Sequence, residues 1–341
     1  MVKIPFLCLF LLSCGMVICA HPGKLAAPVL PASVPIDTNL ILFGRGLYPG
    51  DDMTFEQIRS SGFTTVILSS FYIHSDGDVY SGDDGRHPII HKGRYVGSKD
   101  WLKRVASLRR QPGFVTRMEI LLEGRWYKQP PNTFDFIKDW TDTAKTAPGI
   151  IPGTAPGSTL YKIAKILRDK IGVDAVCIDD ESVYNSASII SLGAMLGKLN
   201  MHMTLCPFKN PVYWKDIISG SQTGLVDAIY LQCYDGGARN APGQWKENLA
   251  INIPVYPIFL CRGAFDTCSS THNSKTPDEI TADMIRFKKG YPEMTGGAIW
   301  QMADIKNYVR KNCAVQDTTS GSATSVSQYI DQLRNSLKQG L

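Results

Sequence analysis

The chain has 341 residues, of which 44% are hydrophobic and 20% charged, with a formal net charge of +5. These proportions are typical of a globular protein and exclude a disordered or collagen-like chain. The 36 basic residues are spread along the sequence rather than clustered, which argues against a nucleic-acid partner. A chain of this length can form two domains or one large α/β barrel.

The first twenty residues have the pattern of a secretion signal. A basic residue precedes an apolar run over 4–12, and small or mid-sized residues follow up to Ala20. We therefore predict a signal peptide over 1–20, a secreted protein, and a linker rich in Ala, Pro and Val over 21–37. A bacterial lipoprotein, anchored at Cys14, is the alternative. The apolar run is too short to span a membrane, and no later segment approaches that length.

Eight short apolar segments with strand character alternate with helical segments. The strand segments are 39–44, 64–70, 117–122, 175–179, 202–207, 228–234, 254–261 and 297–300. The clearest helical segments are 100–110, 133–146, 159–170, 186–199 and 277–289. This alternation predicts a parallel sheet, and eight units predict a single-domain (β/α)8 TIM barrel over 38–313. An open doubly wound sheet is the alternative, but no glycine-rich phosphate loop follows the first strand.

Two stretches interrupt or follow this pattern. Residues 71–98 are rich in polar residues and glycine, and we interpret them as a long loop after the second strand. Residues 314–341 contain a Ser/Thr-rich stretch and an amphipathic tail helix over 328–339. Neither stretch carries a motif that points to a function.

Six cysteines remain after the leader: Cys177, Cys206, Cys233, Cys261, Cys268 and Cys313. Their spacing matches no metal-binding motif, so we predict neither a metal nor a cofactor. Cys261 and Cys268 are close in sequence and could form a disulfide in an oxidising compartment. We expect the others to be small buried apolar side chains.

The fourth strand segment ends in a run of carboxylates. Reactive groups of a barrel lie at the carboxyl ends of its strands. Alternation along the strand places Cys177, Asp179 and Glu181 on the face that points into the barrel mouth. Carboxylates this close cannot all ionise freely, so one pKa should rise towards that of a general acid. Without further motifs, the run could equally be an acidic, solvated helix cap that follows the strand.

Residues 174–181, DAVCIDDE, resemble the D-G-x-D-x-D-x-E signature of glycoside hydrolase family 18. That family includes chitinases and endo-β-N-acetylglucosaminidases, and the doubled Asp before Glu is similar to the second group. Two further segments are similar to family motifs: YLQCYD over 230–235 and GGAIW over 296–300. The three motifs fall on the fourth, sixth and eighth strand segments, in the family's order. The resemblance covers roughly residues 38–312.

The resemblance implies a hydrolase of β-1,4-linked N-acetylglucosamine that uses substrate-assisted, retaining catalysis. Glu181 would protonate the glycosidic oxygen of the leaving sugar. Asp179 would hydrogen-bond the substrate's acetamido N–H and stabilise the oxazolinium-like intermediate. Tyr234 would hold the acetamido oxygen near the anomeric carbon.

Three more residues would bind the substrate. Trp300 would stack against the sugar ring, and Gln232 and Asp235 would form hydrogen bonds at the same mouth. The implied partner is a glycan that contains N-acetylglucosamine: chitin oligomers, a peptidoglycan-type polymer or the chitobiose core of N-glycans. The doubled Asp favours the last of these. The loop over 262–275 is short and leaves an open groove, which favours endo cleavage, and we expect a monomer.

Three features depart from the family pattern, of which Ala175 in place of the signature Gly is a mild change. Cys177 stands where the signature has its middle Asp, and a thiol is a weak hydrogen-bond donor. The third strand segment does not end in the family's S-x-G-G form, which leaves Glu123 as an additional carboxylate near the mouth. A catalytically impaired, carbohydrate-binding protein is therefore the alternative. Cys177 as a nucleophile would need a His base, for which His202 is the candidate in a strand.

Overall fold

The computed structural model describes residues 38–124, 132–234, 240–316, 323–339 and 341. The predicted signal peptide and linker lie outside the described residues, and so does Asp235.

Eight parallel strands form a closed barrel, which confirms the predicted (β/α)8 architecture. The strands of the described residues are β1 (Asn39–Phe43), β2 (Thr65–Ile73), β3 (Val79–Ser81), β4 (Asp84–His91), β5 (Arg94–Tyr95), β6 (Arg117–Glu123), β7 (Ala175–Asp179), β8 (His202–Leu205), β9 (Val226–Gln232), β10 (Val255–Leu260) and β11 (Gly296–Trp300). The barrel order is β1-β11-β10-β9-β8-β7-β6-β2. β1 also pairs with β2, and this pairing closes the barrel.

Helices follow most of the barrel strands and cover the outside. They are α1 (Asp52–Ser60), α2 (Lys99–Ser107), α3 (Thr133–Thr141), α4 (Thr159–Ile166), α5 (Ser186–Lys198), α6 (Pro211–Gly220), α7 (Pro242–Leu249), α8 (Pro277–Gly290), α9 (Met302–Arg310) and α10 (Val326–Gln339). The start of α8 shows why the sequence forms a helix there, because Thr276 and Glu279 form a capping box around Pro277. No helix of the described part of the chain is long and apolar enough to cross a membrane.

The prediction of a long polar loop over 71–98 was wrong. β2 extends beyond the barrel and pairs antiparallel with β3, which pairs with β4, and β4 pairs with β5. Val79, Ile89 and Ile90 of this extension are buried against the main core. These apolar residues are separated by turns and by polar residues, so the sequence shows no sustained alternation there.

The residues of the barrel strands alternate between two cores, as the strand pattern predicts. Val176 and Ile178 belong to the outer core beneath the helices, whereas Cys177 lies inside the barrel. Cys233 lies in the outer core, as expected from its position next to Gln232. This alternation directs every second side chain at a strand's carboxyl end into the barrel mouth.

The amino-terminal end of the barrel interior contains buried charges. Glu119 is fully buried and accepts hydrogen bonds from the hydroxyls of Thr204 and Tyr230 at 2.6 and 2.7 Å. Its charge is balanced by Arg117, 2.6 Å away, which also binds Asp227. Because each buried charge has a partner, this end of the barrel is a satisfied polar layer rather than a site.

The suggested pairing of Cys261 with Cys268 was wrong, and so was the expectation that Cys313 is an unpaired, buried apolar side chain. Cys268 forms a disulfide with Cys313, with Cα atoms 5.2 Å apart. Cys261 is buried at the end of β10 as a free thiol, and Cys268 lies in the following loop against the end of α9. The free cysteines Cys177, Cys206 and Cys233 are buried, as expected.

Candidate active site

The carboxyl ends of β7 and β9 bring three predicted site residues together. Gln232 Nε2 lies 3.1 Å from Asp179 Oδ1 and 3.0 Å from Glu181 Oε1, and donates to both carboxylates. Asp179 is buried, while Glu181 is exposed at the barrel mouth. One amide therefore fixes the relative position of the two carboxyl groups.

Burial raises the pKa of the Asp179 carboxyl well above its usual range. The neighbouring charge of Glu181 raises it further, and Glu123 adds to the effect. The expected rise in one pKa thus falls on Asp179. Both effects favour the protonated form of its carboxyl, as expected for a carboxyl group among like charges in a low-dielectric site.

Asp180 anchors the turn that carries Glu181. Its carboxylate is buried and accepts hydrogen bonds from the backbone N–H groups of residues 182–184 at 2.8–3.1 Å. The Tyr213 hydroxyl donates to it as well, at 2.8 Å. The sequence does not reveal this role, because Asp180 is simply the second Asp of a pair. Its contacts hold the backbone on either side of Glu181.

Cys177 lies directly below Asp179 in the barrel interior, fully buried. Burial raises the pKa of the adjacent Cys206 thiol, and so does its hydrogen bond with Cys177. His202 lies at the amino-terminal end of β8, where its Nδ1 is 3.1 Å from Asp227. The contacts of His202 therefore give no support to Cys177 as a nucleophile paired with a His base.

Glu123 lies across from Asp179 on the neighbouring strand. The two residues are in register between β6 and β7. Glu123 accepts hydrogen bonds from the hydroxyls of Ser70 and Tyr72, both on β2. The additional carboxylate noted in the sequence is thus held in place by two donors beside Asp179.

A cavity of about 630 Å³ opens above these residues. Glu181, Gln232, Tyr234 and Trp300 line it. The Trp300 ring packs on Phe43 inside the barrel, with centroids 5.0 Å apart. Burial raises the pKa of the Tyr234 hydroxyl, which keeps it a proton donor. The volume lies in the range of small-ligand sites, about 300–1,000 Å³.

Solved structures with a similar fold include chitinases. The chitinase ChiB from the chitin utilization locus of Flavobacterium johnsoniae matches with a TM-score of 0.52 and 10% identity, over 88% of this chain and 93% of that one. A chitinase from Bacteroides thetaiotaomicron matches with a TM-score of 0.51 and 13% identity, over 89% of this chain and 97% of that one. ChiB is a family 18 enzyme. The chain has the fold of the family 18 chitinases. No family model matches the sequence, and neither does any curated protein.

Within this family 18 fold, the cavity contains residues that the sequence motifs did not single out. Arg45 and Asp304 line it, together with Phe265 and Asp266 of the loop after β10. Asp304 is only 5% exposed, and burial raises its pKa to about 7. Its place in the first turn of α9, four residues after Trp300, gives no periodic signal. Within the described residues, no group of three His, Cys, Asp or Glu side chains is arranged to hold a metal ion.

Asp304→Asn is expected to flatten the pH dependence of stability. The pKa of Asp304 is about 7 in the folded protein, against about 3.9 for an unfolded chain. The folded state therefore binds this proton more tightly. Asp304 favours folding below about pH 4, and that contribution is lost as the pH rises to about 7. Asn cannot ionise. Between pH 4 and pH 8, the free energy of unfolding of the Asp304→Asn protein should therefore fall by about 2–4 kcal/mol less than that of the wild-type protein.

Urea denaturation at pH 4, 6 and 8 measures this difference. Asp216→Asn, at an exposed position of α6, is the matched control and should keep the wild-type pH dependence. If the unfolding free energy of the Asp304→Asn protein changed with pH as that of the wild-type protein does, the raised pKa of Asp304 would be contradicted.

Proposed function

We propose that the chain is a glycoside hydrolase that cleaves β-1,4-linked N-acetylglucosamine. The observation that carries this proposal is the contact of Gln232 with both Asp179 and Glu181, below a cavity lined by Tyr234 and Trp300. Burial and the neighbouring charge of Glu181 raise the pKa of Asp179, so this pair of carboxyl groups holds a proton more tightly than an isolated carboxylate does. A carboxyl pair that retains a proton can supply one to a leaving oxygen.

The proposed reaction is substrate-assisted. Glu181 protonates the glycosidic oxygen of the leaving sugar, since it is the carboxyl that reaches the open cavity. The substrate's own acetamido oxygen attacks the anomeric carbon as the bond to the leaving sugar breaks, so no enzyme nucleophile is needed. Water then attacks the anomeric carbon of the oxazolinium-like intermediate and gives a proton to the Glu181 carboxylate, which restores the acid. Tyr234 donates its hydroxyl to that oxygen and holds it close.

Asp179 stabilises the oxazolinium-like intermediate in this scheme. Its carboxyl accepts the acetamido N–H, and it becomes more acidic when positive charge develops beside it. Gln232 keeps the Asp179 carboxyl oriented. Trp300 supports the apolar face of the sugar ring, and Asp235, outside the described residues, remains a proposed substrate contact.

A carbohydrate-binding protein without activity is the second candidate. Cys177 favours this candidate. Its buried thiol forms a hydrogen bond with the Cys206 thiol and supplies no carboxylate below Asp179. Glu123 favours activity, because it brings a carboxylate next to Asp179 from the neighbouring strand.

Secretion and endo cleavage are further parts of the proposal. The Cys268–Cys313 disulfide is typical of proteins in an oxidising compartment, which supports secretion. The loop over 262–275 adds no subdomain that would close the cavity, which supports cleavage within a glycan chain. The proposed enzyme works as a monomer.

Mass spectrometry of the products tests the proposal and selects the substrate. The protein is incubated separately with a high-mannose glycoprotein and with chitohexaose. Cleavage of an N-glycan core would leave one N-acetylglucosamine on the asparagine, whereas a chitinase would release shorter oligomers. Absence of product from both substrates, with binding retained, would contradict the hydrolase and support the binding protein.

A further inference from the structure

Phe265 is an exposed aromatic side chain at the edge of the candidate active site. Its side chain is 62% exposed, yet it lines the same cavity as Glu181 and Trp300. It lies in the loop after β10, next to the strand that ends in Trp300. Scattered apolar residues on a protein surface are ordinary, but an exposed ring within a polar-rimmed cavity is typical of a binding surface.

The backbone at Phe265 is in a conformation that bulky residues avoid. Phe265 has φ 56° and ψ 28°, and Asp266 also has a φ of 56°. A left-handed conformation at a large non-glycine residue costs energy and persists only where the surroundings impose it. Such residues are found disproportionately at binding and active sites.

Three contacts impose this conformation. Gly263 passes against the backbone of α9, where a Cβ would lie 2.2 Å from the Asp304 carbonyl oxygen. Asp266 forms ion pairs with Arg310 and Lys311. The disulfide of Cys268 with Cys313 then ties the loop to the end of α9.

These contacts fix the loop without covering the Phe265 ring. The ring meets His272 of the same loop, with centroids 4.4 Å apart and planes tilted by 38°. The remaining surface faces the cavity and solvent. A rigid ring with an open face loses little conformational entropy when a ligand packs on it.

We propose that Phe265 forms a second sugar-binding subsite, next to the one at Trp300. Its ring packs against the apolar C–H face of a β-linked N-acetylglucosamine unit that extends from the cavity. This inference rests on the proposed function, because it takes the cavity ligand to be an oligomer of that sugar. The subsite favours long glycan chains over short ones.

Calorimetry with chitobiose and chitohexaose tests the subsite without turnover. Titrations are made on the Glu181→Gln protein and on the same protein with Phe265→Ala. The second change should weaken chitohexaose binding about tenfold and leave the Kd for chitobiose within about twofold. Phe265→Tyr keeps the ring and should restore chitohexaose affinity. A disturbed loop would weaken the binding of both oligomers, whereas loss of the subsite weakens only that of chitohexaose.

Phe114→Ala is the matched control, because Phe114 is 55% exposed and does not line the cavity. It should change neither affinity. If the Glu181→Gln protein binds both oligomers and Phe265→Ala leaves the chitohexaose Kd unchanged, the subsite is refuted while the proposed function stands. If neither oligomer binds, recognition of N-acetylglucosamine oligomers fails, and the subsite fails with it.

Discussion

Glu181→Gln is expected to lower kcat by about a thousandfold while leaving glycan affinity close to wild type. A positioned general acid contributes about 10²–10⁴-fold to the rate, and an amide cannot give up a proton to the leaving oxygen. Glu181 is the exposed member of the carboxyl pair and lines the cavity, so its loss removes the proton donor closest to a bound substrate.

The change is nearly isosteric. The side-chain oxygen of Gln can still accept the hydrogen bond that Gln232 now donates to Glu181 Oε1 at 3.0 Å. The variant therefore tests chemistry rather than folding. Initial rates on the substrate identified by mass spectrometry, combined with calorimetric binding, measure both quantities. Glu293→Gln, at an exposed position, is the control and should keep full activity. Wild-type turnover in Glu181→Gln would remove the basis of the assignment.

Asp180→Ala is expected to cost about 3 kcal/mol of unfolding free energy and most of the activity. The buried carboxylate accepts three backbone N–H groups and one hydroxyl. Truncation to Ala leaves these four donors without their acceptor in a partly buried turn. Unsatisfied buried donors cost about 1–3 kcal/mol each, and relaxation and water recover part of that sum.

Activity should fall in the same variant although Asp180 does not line the cavity. The turn that it holds begins at Glu181, so a displaced turn moves the proton donor away from the leaving oxygen. Thermal unfolding and initial rates measure the two effects. Asp216→Ala, on the exposed face of α6, should change stability by less than about 0.5 kcal/mol. An Asp180→Ala protein with unaltered stability and rate would show that the turn holds Glu181 without this carboxylate.

The barrel could be predicted because parallel strands buried on both faces are nearly continuous apolar runs. Each predicted strand segment overlaps one strand of the barrel, from 39–44 with β1 to 297–300 with β11. The extension formed by β3, β4 and β5 could not be predicted. β3 and β5 are short, and β4 begins with polar residues and a glycine over 84–87, so few apolar residues mark these strands.

Site residues could be predicted from the sequence only where they belong to one motif or follow from the alternation of side chains along one strand. Alternation along β7 was enough to place Cys177 and Asp179 on the inner face. It could not show that Gln232 bridges two carboxylates, because that contact joins separate strands. Nor could spacing reveal that Cys268 pairs with Cys313, since the end of α9 approaches the loop after β10 only in the folded chain.

Closure of the barrel between β1 and β11 makes folding depend on almost the whole chain. Asn39 and Gly296 are in register at this seam, and a Cβ at Gly296 would lie 1.9 Å from the Asn39 carbonyl oxygen. The first and last strands can therefore meet only because a side chain is missing there. The carboxylates of β7 lie in the middle of the sequence, but the barrel around them closes only when its last strand arrives. Formation of the barrel around the candidate site therefore depends on a contact between distant parts of the sequence, and contacts of this kind are slow to form.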